Sequence, residues 1–60
     1  MGEGSYIIEI IRRGNAVRVS AVDPQTGLEA VLVGDPRASE AELRRLAVQK
    51  IEYIKNKNLK

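Results

Sequence analysis

Ten Lys or Arg, eight Asp or Glu, and neither His nor Cys in sixty residues bound this chain to one small domain without disulfides, structural zinc or the usual metal ligands. A domain this short buries only about 60% of the surface its unfolded chain exposes, so its core is small and its stability margin thin. The net charge of +2 and a pI near 9.3 permit an anionic partner without requiring one, and no apolar run approaches the ~18 residues of a membrane span.

In chain order, residues 1–4 read as a flexible start. No basic region followed by an apolar stretch announces a secretory signal. Met1-Gly2 is a poor myristoylation match, because Tyr6 stands where Ser or Thr is needed. The expected compartment is the cytoplasm. "SYIIEIIRR", about 5–13, is rich in isoleucine and reads as a first strand. Gly14-Asn15 is a two-residue hairpin signal, since both residue types tolerate positive φ. "AVRVSAV" opens a second strand, about 16–23. In "DPQTG", Pro24 presets a turn and Gly27 supplies a left-handed position. A third strand, about 28–33, ends at "GDP", because Pro36 has no N–H to give to a ladder. "SEAE" at 39–42 is a capping box: the Ser39 hydroxyl can accept from the Glu42 N–H while Glu42 reaches back. From there Leu43, Leu46, Ala47, Ile51 and Ile54 keep a helical period through about residue 56. The expected fold is α+β, a three-stranded antiparallel meander with one C-terminal helix packed on one face, in the order βββα.

Counting outward from Gly14-Asn15 sets Arg13 opposite Ala16, Ile10 opposite Val19, Ile8 opposite Ala21 and Tyr6 near Asp23. Through the second turn, Val19 meets Leu32 and Ala21 meets Ala30. One face then carries Ile8, Ile10, Val17, Val19, Ala21, Leu28, Ala30 and Leu32, which the helix stripe is expected to cover. The opposite face should be polar if it meets only water. Instead it carries Ile7, Ile11, Val22, Val31 and Val33 among Glu9, Arg13, Arg18, Ser20 and Glu29. Strand propensity accounts for some exposed aliphatics. Their clustering points to burial against another chain, most simply a second copy packed sheet to sheet.

Lys50 falls within about 20° of Leu43 around the helix, inside the apolar stripe. It is expected to lay its stem over the core and present its ammonium to Asp23 or to a carbonyl of the 23–27 turn, as scaffolding. The terminal "KNKNLK" reads as a solvated helix end whose lysines suit the negative end of the dipole.

No catalytic constellation is visible. Without His or Cys, base and nucleophile roles fall to carboxylates, Lys, Ser and Tyr, and Ser39, Glu40 and Glu42 are accounted for by the helix start. No phosphate loop, nucleotide fingerprint or paired-carboxylate pocket occurs. The expectation is a non-enzymatic module with no cofactor and no metal. Its interface core would be Ile7, Ile11, Val22, Val31 and Val33, with Arg13, Arg18, Glu9 and Glu29 as a polar rim. The alternative is nucleic-acid binding through Arg12, Arg13, Arg18 and the C-terminal lysines, in the manner of three-stranded sheets that enter a major groove. Against it stand Glu9 and Glu29 on the same face, an aliphatic centre and the lack of an aromatic platform.

"GNAVRVSAVDPQTGLEAVLVGDP" followed by "LRRLAVQKIEYI" resembles a set of short bacterial proteins known as a domain of unknown function. They share Gly-Asn, Val-x-Val-Ser-Ala, Asp-Pro-x-Thr-Gly and a Lys-hydrophobic-Glu-Tyr helix. The resemblance implies a stand-alone cytoplasmic bacterial protein and carries no activity, cofactor or catalytic residue to any position here.

Overall fold

Alternating side chains along Ile7–Arg13 (β1), Ala16–Val22 (β2) and Glu29–Gly34 (β3) build one antiparallel sheet in the order β1-β2-β3, and Glu40–Asn58 (α1) follows as a single helix. This is a computed structural model, and it describes residues 6–58. The flexible start expected over 1–4 and the last residues of the lysine-rich end lie outside the described residues. The strands differ from the expected bounds by a residue or two. β3 runs on through Gly34, and the helix continues to Asn58, because the Asn residues in its last turns do not break it.

The register is the one that the turn chemistry dictates: Arg13 pairs with Ala16, Ile10 with Val19 and Ile8 with Ala21, while Val19 pairs with Leu32 and Ala21 with Ala30. Gly14 takes φ +60° and Asn15 does not turn positive, the pattern of a II′ hairpin with glycine first. The second turn closes through Asp23 N–H to Leu28 O at 2.8 Å and Gly27 N–H to Asp23 O at 2.8 Å, with Gly27 at φ +78°. At the helix start, Glu42 N–H donates to Ser39 Oγ at 3.1 Å, satisfying one of the donors that the first turn leaves free.

The core is small. Val17, Val19, Ala21, Ala30, Leu43, Ala47 and Ile51 are buried, and Ile8, Ile10, Leu28, Leu32 and Ile54 pack partly against them. The helix lies over β2 and β3. It approaches closely at Gly34, where an added Cβ would sit 2.5 Å from Leu43 Cδ2.

That placement corrects one expected core position. Leu46 is 39% exposed. At about 100° per residue it points roughly 100° away from the mean direction of Leu43, Ala47 and Ile51. With the helix above β2 and β3, that flank overhangs the outer edge of β3, where no further strand lies among the described residues. Tyr53, seven residues on and also exposed, lies on the same flank.

Candidate functional site

The sheet face away from the helix is laid out by the register in successive cross-strand rows: Ile7–Val22–Glu29, Glu9–Ser20–Val31, Ile11–Arg18–Val33, then Arg13–Ala16. Ile7 is 60% exposed, Ile11 41% and Val33 73%, while Val22 and Val31 are half-buried among their neighbours. All five expected interface residues therefore share the face, and nothing among the described residues covers it. A shallow hollow of about 260 Å³ opens at its hairpin end, lined by Ile11, Arg13, Ala16, Arg18 and Val33, with Val17 beneath.

Arg13 and Arg18 belong to this face, as expected. Arg12 does not: its side chain lies on the helix side, and Nη1 donates to the Pro36 carbonyl at 3.3 Å. That bond ties the first hairpin to the β3–α1 connection, so the three arginines do not form one patch.

A second cluster sits at the opposite end of the sheet, and it is where the lysine expectations need correction. Lys50 is exposed and donates not to Asp23 or its turn but to the Val31 carbonyl, at 2.7 Å. The lysine that reaches Asp23 is Lys55, whose Nζ lies 2.9 Å from Oδ2. The reason is arithmetic along two elements that start together where Leu43 meets Gly34. Lys50 lies about 10 Å farther along the helix, as Val31 does back along β3. Lys55 lies about 18 Å along, close to the roughly 17 Å that separates Gly34 from the Glu29 end of β3.

Asp23 is 3% exposed, and its Oδ1 accepts the Gln25 N–H at 2.9 Å. Its Oδ2 has Lys55 as an ion-pair partner, at an angle outside hydrogen-bond geometry. Lys55 Nζ also approaches Tyr6 Oη at 3.4 Å and stands 5.3 Å from the Tyr6 ring centre, and Tyr6 Oη donates to Glu52 Oε2 at 3.3 Å. The cluster thus joins the start of β1, the β2–β3 turn and the last turns of the helix. Lys55 and the Gln25 N–H hold the Asp23 carboxyl below its ordinary range, while Asp23 and Tyr6 hold Lys55 above its own. Both shifts lead away from neutrality, which suits a structural clamp and not a general acid or base. Lys55 is half-buried here, not a solvated tail residue. The signal that could have found it was the helical rise counted from the β3 end.

Among the described residues, no group of three or more His, Cys, Asp or Glu could hold a metal ion. No helix among them is long and apolar enough to cross a membrane. A family model matches residues 3–58, and the chain belongs to that family, the domain of unknown function DUF6898. No curated protein and no solved structure matches it.

Proposed function

We propose that this member of the family is a non-enzymatic association module that pairs with a second copy through its uncovered sheet face. The observation that carries the reading is the single apolar surface of Ile7, Ile11 and Val33, all exposed, around the half-buried Val22 and Val31. A domain with so few fully buried large side chains gains a second hydrophobic layer when two such faces meet, the arrangement of a sheet sandwich. Glu9, Glu29, Arg13 and Arg18 supply a polar rim of both signs. The proposed setting, the bacterial cytoplasm, rests on the resemblance alone.

The test is molar mass in solution by light scattering, across a dilution series at low and high salt. Association that survives high salt and is reduced in Val31→Asp supports the reading, because apolar packing is insensitive to screening and a buried, unpaired carboxylate is costly. A monomer at every concentration overturns it.

Nucleic-acid binding is a second reading, favoured by Arg13 and Arg18 lining one hollow. It requires binding that weakens steeply with salt and is lost in the Arg13→Ala, Arg18→Ala double variant.

A further inference from the structure

The two edges of the sheet are finished differently. Residues of an antiparallel pair exchange both backbone hydrogen bonds at alternate positions only. The Asp23 N–H to Leu28 O bond sets the phase. With the register, Leu32, Ala30 and Gly34 bond to β2, while Val31 turns its carbonyl outward. Lys50 caps that outward carbonyl at 2.7 Å, and the helix lies over this side. A helix laid over an edge strand, with a charged side chain set against it, is one way to blunt that edge against further pairing.

By the same phase, Ile7, Glu9, Ile11 and Arg13 bond to β2, and Ile8, Ile10 and Arg12 turn their N–H and C=O groups outward. Among the described residues these outward groups have no backbone partner beyond the sheet. β1 contains no proline and no lysine. The Arg12 side chain folds back to Pro36 and does not stand along the edge. The helix is centred over β2 and β3, so it leaves the approach to β1 clear.

The charges of β1 select what can pair there. Neither Glu9 nor Arg13 has an ion-pair partner among the described residues. Outward residues must face outward residues, which leaves three central two-fold registers for β1 against itself. Centring on Glu9 sets like charges opposite each other, which is unfavourable. Centring on Ile10 sets Glu9 opposite Ile11. Centring on Ile11 sets each Glu9 directly opposite the second copy's Arg13, twice, flanking an Ile11–Ile11 contact. All three of those pairs fall at the non-hydrogen-bonded positions, where side chains approach more closely.

We propose that β1 is a homotypic pairing edge. A second copy adds its own β1 antiparallel, with Ile11 on the two-fold axis, to give a continuous six-stranded sheet. This contact is independent of the face packing proposed above. It widens the uncovered apolar face and leaves it free, so the two contacts together build a four-copy assembly.

The experiment uses the full 60-residue chain, made by synthesis with the Ile10 backbone nitrogen methylated. The methyl group removes an outward donor and blocks the edge without touching the β1–β2 ladder or any side chain. Sedimentation equilibrium should show the mass halved relative to the unmodified chain, with circular dichroism unchanged. An N-methyl chain that stays folded and keeps the full mass overturns the edge. Val31→Asp reads the face separately: a fall from four copies to two leaves the edge-held pair standing without the face, and a fall to one copy overturns the edge. A second pair of variants does not depend on the N-methyl chain folding. Glu9→Arg alone and Arg13→Glu alone, each made in the Val31→Asp chain so that the face rim they also belong to is out of play, should each weaken edge pairing by about tenfold or more. An equimolar mixture should restore it, because in the mixed pair both cross-strand contacts again set one arginine opposite one glutamate. A mixture no tighter than its components overturns the proposed register.

Discussion

The Lys55 ammonium lies 2.9 Å from Asp23 Oδ2, joining the last turns of the only helix among the described residues to the tight turn between β2 and β3. Asp23 is 3% exposed, so this ion pair neutralises the one buried charge among the described residues and locks the helix to the far end of the sheet.

Its pH dependence follows from the direction of both shifts. Asp23 in the folded chain is held below its ordinary 3.8, so its contribution is present above 3.8 and is lost as pH falls through the lower folded value. Lys55 is held above its ordinary 10.5, so its contribution is present below 10.5 and is lost as pH rises through the higher folded value. Lys55→Met should therefore lower the melting temperature between these limits, and the difference from the unaltered chain should shrink below pH 3.8. Thermal melts followed by circular dichroism from pH 2 to 8 would check this. A difference that stays constant through the acid limb would assign the loss to packing of the lysine stem.

Gly34 is where the helix and β3 come closest. A Cβ there would sit 2.5 Å from Leu43 Cδ2, and Leu43 is fully buried, so its methyl has little room to retreat. Gly34→Ala should cost about 1–3 kcal/mol by overpacking. Leu43→Val in the same chain should recover part of that loss in urea denaturation, giving a non-additive double-mutant cycle.

The helix start is a smaller, local element. Ser39 Oγ accepts the Glu42 N–H at 3.1 Å, and Ser39→Ala should cost about 1 kcal/mol. In a domain of this size that corresponds to a melting-temperature drop of about 4–8 °C. Ser39→Asp should retain most of the stability, because the carboxylate accepts the same bond and suits the positive end of the dipole.

On the open face, Val33 is 73% exposed and makes little contact within its own chain. Val33→Ser should therefore change the stability of an isolated chain by less than about 0.5 kcal/mol. In a chain that packs sheet to sheet, the same change should weaken self-association. Denaturation midpoints measured at two protein concentrations would separate these effects, since only an associating protein shows a midpoint that rises with concentration.

Local chemistry in this chain was legible because it is local. Gly14-Asn15 and Asp23–Gly27 specify their turns through φ preferences and short-range hydrogen bonds. Two turns of known length determine a register by counting. A register with period two then assigns every strand residue to a face, including the five aliphatics on the uncovered side. Ser39 and Glu42 mark the helix start for the same reason, with donor and acceptor three residues apart.

The tertiary structure alone decided where the helix lies across the sheet and how far along it each lysine reaches. Periodicity around a helix gives the direction of Lys50 and Lys55 about its axis, but not the point at which that axis meets the strands. The close approach that Gly34 permits to Leu43 sets that point. From it follow the Lys50 cap on Val31, the Lys55 pair with Asp23, the exposure of Leu46 beyond the β3 edge and the edge of β1 that the helix leaves uncovered.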